Sequence, residues 1–265
     1  MPPRTARLDD RAVIRVAGGE ARPFLNRLLT QEVETLAAGE LRAGALLTPQ
    51  GRVLHDLFLW GEADGVRIDV HVDAREDLLR RLAMFRLRAA VEITPEDTPV
   101  HALWDAERAP SPPWRPDPRG SAMGWRALDQ AAPDAEPGDY RVHRFAQGVA
   151  EAVADGLSDK AYATEADLDL LNGVDFSKGC FVGQETTSRM KRRGGVRSRV
   201  LPLDVEGGAP TAGAEVLAGE LRAGEVVAAC GDRALALLRL DRSEGALTVD
   251  GRAARLASPG WMTGA

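Results

Sequence analysis

The stretch from Leu168 to Glu185 reads LDLLNGVDFSKGCFVGQE, and its second half places one thiol between two glycines. Gly179 and Gly183 allow the backbone around Cys180 conformations that other residues rarely adopt. The neighbouring Lys178 and the start of a helix would stabilise a thiolate there. The alternative from these residues alone is a buried structural cysteine at a turn, since free cysteine is among the most buried residue types.

The chain that follows this thiol predicts one more helix and then a small β-barrel. Residues 184–193 have a helical pattern that stops at Gly194-Gly195. Beyond them, short apolar runs alternate with glycine-rich turns, at 200–205, 226–229, 234–240 and 246–249. Such spacing is typical of a small barrel. We therefore predict two units, residues 1–195 and residues 196–265.

The first unit combines strand and helix patterns. Strands are predicted at 11–16, 53–60, 66–70 and 91–93, with a short one ending at Leu46-Leu47, and helices at 21–30 and 73–88. The second helix opens with Asp73 and Glu76 at capping-box spacing, and its apolar stripe extends to Phe85 and Leu87. Taken as strand, helix, strand, strand, helix, strand, the order is that of a ferredoxin-like α+β unit.

Two loops interrupt the pattern after this unit. A proline-rich loop is predicted near 109–120, and a second loop at 131–138. A further helix is then predicted from Tyr140 to Gln147, with Asp139 as its N-cap. These features divide the first unit into two lobes.

Composition excludes several classes of protein. The 265 residues are 44% hydrophobic and 28% charged, which is typical of a globular protein with a proper core. No apolar run reaches the length of a membrane span, and the first residues lack a secretory or transit pattern, so we expect a cytoplasmic protein. Two cysteines and four scattered histidines give no metal site. The net charge of −6 disfavours nucleic acid, and nothing requires more than a monomer.

Residues 168–194 resemble the signature of the YgfZ family. The shared pattern is K-G-C-aromatic-x-G-Q-E, followed by an arginine, here Arg189, and a later basic–glycine pair. Residues 24–30, 45–56 and 84–88 are similar to the N-terminal pattern of the same family. The wider superfamily includes bacterial folate-binding iron–sulfur proteins, a related mitochondrial assembly factor and the T-protein of glycine cleavage.

The resemblance implies an α+β, T-protein-like three-lobed fold, with ferredoxin-like units around a central tetrahydrofolate channel and a C-terminal β-barrel. Asp56 and Glu165 match two T-protein carboxylates near folate. A carboxylate at Asp56 suits proton transfer from a folate amine, and one at Glu165 suits the parallel donors of a pterin. The motif adds Lys178, Gln184, Glu185 and Arg189 as cofactor-binding residues, and Cys180 and Asp56 as catalytic residues.

Three functions follow from the resemblance. The first is a tetrahydrofolate-binding protein that supports assembly or repair of iron–sulfur clusters, with client or assembly proteins as partners and Cys180 as the functional thiol. One cysteine supplies one ligand, so a stable cluster requires thiols from elsewhere. The first alternative is a folate-dependent aminomethyl- or methyltransferase that uses Asp56. The second is a non-catalytic scaffold on the same fold.

Overall fold

The structure is a computed structural model that describes residues 2–107, 110–129, 133–192, 194–257 and 259–262. This part of the chain contains three β-sheets and four α-helices. The strands are β1 (Arg4–Arg7), β2 (Arg11–Ala17), β3 (Leu41–Leu47), β4 (Val53–Gly61), β5 (Gly65–His71), β6 (Glu92–Glu96), β7 (Val100–Trp104), β8 (Arg115–Pro116), β9 (Trp125–Leu128), β10 (Ser198–Val205), β11 (Glu215–Ala218), β12 (Leu221–Cys230), β13 (Arg233–Arg239), β14 (Leu247–Val249) and β15 (Arg252–Leu256). The α-helices are α1 (Ala21–Asn26), α2 (Arg75–Arg86), α3 (Pro137–Ala146) and α4 (Gln184–Arg192).

The first sheet has the antiparallel order β3-β4-β5-β2-β6. Three strands separate α1 from α2, one more than in the order strand, helix, strand, strand, helix, strand, because the predicted short strand that ends at Leu46-Leu47 is a full strand of residues 41–47. One face of the sheet packs against both helices, where Ile14, Leu57 and Ile68 share a core with Phe24 and Leu78. Burying this face gives the unit its main stabilisation.

Helix α2 begins differently from the prediction. A 3₁₀ turn, Val72–Ala74, precedes it, and the His71 ring accepts a hydrogen bond from the Asp73 backbone N–H. Ala74 stands at the N-cap position, so the predicted capping box of Asp73 and Glu76 is wrong. The predicted apolar stripe is also too long, because burial ends at Leu82 and the last turn projects into solvent.

The second sheet has the order β1-β7-β9-β8 and lies on the other face of the first. Arg126 of β9 reaches Asp69 of β5, with 2.8 Å between Nη2 and Oδ2. These short strands were not predicted from the sequence. Helix α3 follows and begins at Pro137, earlier than predicted, with Asp139 accepting a hydrogen bond from the Glu136 N–H inside the first turn.

The C-terminal strands form a closed barrel in the order β10-β13-β12-β11-β14-β15, and pairing of β10 with β15 completes it. Leu203, Val216 and Leu238 are among the side chains that fill its interior. The predicted α+β class with a C-terminal β-barrel is therefore confirmed. The division into residues 1–195 and 196–265 stays a prediction. Across the described ranges, the helices are too short or too polar to cross a membrane.

Candidate functional site

Lys178 connects the cysteine segment to helix α1. Its Nζ donates to the backbone carbonyl oxygens of Asn26, Leu29 and Gln31, at 2.6, 2.7 and 2.8 Å. Burial lowers the pKa of Lys178 to about 8, although Glu32 and other acidic neighbours oppose the shift. All three donors of the ammonium are used within the protein. Lys178 therefore anchors the segment, and it has no free N–H for the thiol or for a cofactor.

Gly183 explains a second part of the motif. Its φ is +81°, and an added Cβ would lie 2.6 Å from the Thr48 carbonyl oxygen. Gly51, in the turn between β3 and β4, has φ of +87° and lies against Thr186 and the Gly183 carbonyl. Only glycine satisfies both the left-handed backbone and this close approach. The two glycines thus join the first turn of α4 to the turn that leads into β4.

Cys180 lies between Lys178 and Gly183, the two residues that fix the backbone here, and its side chain is exposed. The next residue, Phe181, is buried in a core shared with Phe145 and Val200. The thiol therefore faces solvent while the adjacent side chain holds the backbone, which decides against the buried cysteine considered from the sequence. Of the other motif residues, Gln184 donates to the Gly179 carbonyl at 3.3 Å. Glu185 and Arg189 are exposed on α4.

Asp56 lies on β4 and is buried on the face opposite α1 and α2. Its Oδ1 accepts a hydrogen bond from the Ala152 N–H at 2.8 Å. Burial raises the pKa of Asp56, and the neighbouring Glu151 carboxylate raises it further, while Arg11 opposes the shift. The backbone N–H of Asp56 also contributes a hydrogen bond to this carboxylate. Since an ionised carboxylate has about four lone-pair sites, Asp56 is a buried carboxyl group that retains acceptor capacity.

A buried network of charges surrounds Asp56 and was missed by the sequence analysis. Its other members are Arg11, Asp69, Asp117, Arg119, Arg126, Arg144, Glu151 and Asp155. The guanidinium groups of Arg11, Arg119 and Arg126 lie over the Phe58 ring. Their Cζ atoms are 5.4, 4.8 and 3.9 Å from the ring centroid. With Asp56, the network has five carboxyl groups and four guanidinium groups. The one carboxyl group in excess agrees with the raised pKa of Asp56. The sequence gives no signal for it, since Asp69 occupies a polar position of an alternating strand that would ordinarily face solvent.

Glu165 lies in a turn beside the start of β4. Its Oε2 accepts a hydrogen bond from the Tyr162 N–H at 3.0 Å, and Tyr162 forms an isolated bridge with Arg52. Burial raises the pKa of Glu165, although the Tyr162 hydrogen bond and Arg52 oppose the shift. Its Oε1 accepts no hydrogen bond from any residue that the structure describes. Ala152, whose backbone N–H binds Asp56, lies in the part of the chain that precedes this turn.

Helix α4 completes the arrangement. The Thr164 hydroxyl donates to the sulfur of Met190 at 3.7 Å, so α4 packs beside the turn that carries Glu165. The structure brings the motif segments together around the Thr48–Gly51 turn. In the described ranges, no hydrogen bond or ion pair joins Asp56, Glu165 and Cys180 to one another. The predicted residues therefore differ in exposure: Asp56 is buried and Glu165 and Gln184 are half-buried, whereas Cys180, Glu185 and Arg189 are exposed.

The two carboxyl groups fit the chemistry of a folate. Each retains acceptor capacity, and a pterin offers N–H donors that carboxylate oxygens accept. A cavity of about 970 Å³ lies elsewhere, between α3 and the barrel, and Cys230 lines it. None of the predicted site residues lines this cavity. The described residues form no cluster of three or more His, Cys, Asp or Glu side chains suited to a metal ion.

Comparison with known sequences gives similar proteins over nearly the whole chain. The human protein named iron–sulfur cluster assembly factor IBA57, mitochondrial, is 35% identical over 92% of this chain and 79% of its own length. The mouse protein of the same name is 33% identical over the same shares. A homologue from Pyricularia oryzae is 34% identical over 74% of this chain and 56% of its own. The expectation of a cytoplasmic protein is wrong, because these relatives are named as mitochondrial.

Two further comparisons concern the fold. A family model described as the CAF17 C-terminal beta-barrel domain matches residues 197–264. The crystal structure of the glycine cleavage system aminomethyltransferase T from Bartonella henselae superimposes with a TM-score of 0.76. It covers 98% of this chain and 86% of its own at 16% identity, which shows a shared fold alone. The predicted T-protein-like fold is confirmed.

Proposed function

Because the chain belongs to the YgfZ/IBA57 family of T-protein-like proteins, we propose that it acts in iron–sulfur cluster assembly with Cys180 as its functional thiol. The observation that carries this proposal is the exposure of Cys180 on a fixed backbone. Thiolates are the usual ligands of iron–sulfur clusters, and one chain with one such thiol supplies one ligand. The cluster is therefore cargo that Cys180 holds together with thiols of a partner protein.

The surroundings of Cys180 suit such a transfer. Lys178 before it and Phe181 after it are buried, so the thiol is presented at a constant position without being enclosed. Exposure allows a partner to approach, and preorganisation reduces the entropy lost when a shared ligand set forms. Helix α4, which follows the thiol segment, carries the exposed Arg189, whose positive charge would attract the negative charge of a thiolate-bound cluster.

Deleting the gene for this protein in its own host tests the assembly role. We expect the activity of enzymes that contain iron–sulfur clusters to fall severalfold, while enzymes without clusters keep theirs. Re-introducing the wild-type chain restores the activities. Unchanged activity of the cluster enzymes in the deletion strain would show that the chain does not act in this process.

We further propose that Asp56 and Glu165 bind tetrahydrofolate, whose chemical contribution is to carry one-carbon units. The Oε1 atom of Glu165 would accept from the pterin, and the carboxylate of Asp56 would accept from a folate amine. Both groups accept only when ionised, and burial raises the pKa of both. Their ionisation is therefore lost as the pH falls through these raised pKa values, and folate affinity should fall with it.

Calorimetry under reducing conditions measures this binding. Charge-assisted hydrogen bonds are worth about 1.5–3 kcal/mol, so we expect Glu165→Gln to weaken tetrahydrofolate binding roughly 10- to 100-fold. The matched control is Glu225→Gln, an exposed barrel residue paired with Arg222, which should bind like wild type. Absence of saturable binding to wild-type protein would exclude the folate site and leave the thiol proposal standing.

Asp56 also supports a folate-dependent transferase as a second candidate. A buried carboxyl group with a raised pKa is suited to proton exchange with a folate amine. Exchange of one-carbon units with tetrahydrofolate by purified protein, abolished in Asp56→Asn, would establish this activity. Exchange that is absent in wild type, or unaffected by the substitution, would remove this candidate.

A further inference from the structure

The last turn of α2 and the residues after it form an exposed apolar surface, here called the α2 tip and defined as residues 83–88. All six residues are exposed. Met84, Phe85 and Leu87 are large apolar side chains, with 62%, 39% and 86% of their surfaces accessible. Contiguous exposed apolar side chains are a mark of interaction sites, whereas isolated ones are common on any protein.

The α2 tip is held in place at both ends. Before it, Leu78 and Leu82 are buried in the core, and the Asp77 carboxylate binds the His55 ring at 2.8 Å. After it, the Ala90 N–H donates to the Glu20 carboxylate at 2.6 Å. The exposed side chains thus stand on a defined backbone, which lowers the entropy cost of binding a partner.

The charges of the tip select the kind of partner. Arg86 and Arg88 make no ion pair with any residue in the described ranges. By contrast, Arg80 and Arg81, one turn earlier, are both paired with Asp77. The chain as a whole carries a net charge of −6, so the tip is a local positive region on an acidic protein. Complementarity therefore favours a negatively charged partner.

A hollow of about 610 Å³ adjoins the tip, but Asp64 and Glu92 line it together with Arg15 and Arg86, so it adds no net positive charge. We propose that the α2 tip itself docks an acidic protein segment whose apolar side chains cover Met84, Phe85 and Leu87. Three apolar side chains suit a short segment better than a membrane, which requires a longer amphipathic face. They are also too few for the extensive interface of a stable dimer.

Binding of a defined probe tests this surface. The probe is a synthetic fluorescent helical peptide of glutamate and leucine, with versions that replace leucine by serine or glutamate by lysine. We expect saturable binding of the first peptide alone, weaker at high salt. Met84→Ser should weaken it about tenfold, since burial of one large apolar side chain is lost. Arg86→Glu with Arg88→Glu should weaken it at least as much.

The matched control is Leu221→Ser on β12, where the wild-type side chain is 60% exposed, close to the value for Met84. This variant should bind the peptide like wild type, and thermal unfolding should show all variants folded. Three binding results would overturn the proposal: no peptide binding by wild type, binding that is insensitive to the tip substitutions, or tip-dependent binding of anionic phosphatidylglycerol vesicles in place of the peptide. Tip-dependent dimerisation in sedimentation would likewise assign the surface to a second copy. The peptide result depends on neither folate nor Cys180, so it fails or succeeds separately from the proposed function.

Discussion

Two neighbouring residues of one motif have opposite roles at the residue scale. Lys178 is buried and directs its ammonium at three carbonyl oxygens, while Cys180 is exposed. A charged residue next to a thiol is easily taken as its electrostatic partner. Here the lysine instead satisfies the carbonyl of Asn26, the last residue of α1, and the carbonyls of Leu29 and Gln31 in the chain that follows. The motif thus combines an anchor with the group that the anchor presents.

Replacing Lys178 measures how much this anchor stabilises the protein. Lys178→Met leaves three buried or half-buried carbonyls without a donor, and we expect the free energy of unfolding to fall by about 2–4 kcal/mol. The control is Lys191→Met, because Lys191 is 45% exposed and 3.4 Å from Asp169. That substitution should cost less than about 1 kcal/mol. Urea denaturation compares the two, and equal stability of both variants would refute the anchor.

At the scale of elements, the contact between Gly183 and the β3–β4 turn positions α4. The contact requires a positive φ and leaves no room for a side chain atom. It also explains why two motifs far apart in sequence each contain a glycine. The position of the thiol segment relative to β4, and thus to Asp56, depends on this junction.

Gly183→Ala should therefore destabilise the protein by more than the cost of a left-handed alanine, which is about 1–2 kcal/mol. The comparison is Gly156→Ala, since Gly156 has φ of +71° and no atom within 4 Å of an added Cβ. We expect Gly156→Ala to lose only the free energy of unfolding that the left-handed backbone costs an alanine. Gly183→Ala should unfold at a clearly lower urea concentration. If both variants lose the same stability, the close approach to Thr48 contributes nothing.

The sequence predicted which helices and strands are present better than it predicted where they begin and end. Helices α2 and α4 and the barrel runs followed from apolar period and glycine spacing, because those patterns are local. The exposure of the last turn of α2 was not predicted from the sequence. The helical period shows which face of the helix is apolar, but it does not show where the sheet that covers this face ends. The strands β1, β7 and β9 were missed, since they are short and β9 carries the buried Arg126.

At the scale of the whole molecule, a buried charge network joins the two N-terminal sheets. Asp69 accepts from Arg11 at 2.6 Å and from Arg126 at 2.8 Å, and its side chain is fully buried. These three residues are far apart in sequence, and only folding brings them together. Sequence patterns indicate which residues are apolar, but they do not show which buried charges will pair. The surroundings of Asp56 therefore required the structure.

Asp69→Asn removes the charge shared by two buried guanidinium groups. We expect it to lower the free energy of unfolding by about 3–5 kcal/mol, as for one partner of a buried ion pair. Asp204→Asn is the control, because Asp204 also faces two arginines, Arg233 and Arg255, but is 32% exposed. It should cost less than about 1 kcal/mol. A similar loss in both variants would mean that burial adds nothing to the network.

The central claim is that the exposed Cys180 thiol performs the function, and the chain supplies its own control in Cys230, which is half-buried. The most direct test is to express Cys180→Ser and Cys230→Ser at equal levels in the deletion strain and to measure the activity of an iron–sulfur enzyme. We expect Cys230→Ser to restore wild-type activity and Cys180→Ser, although folded, to restore less than about a tenth of it, since serine is a poor replacement for a cluster thiolate. Full restoration by Cys180→Ser would show that the thiol is not required and would favour a scaffold function.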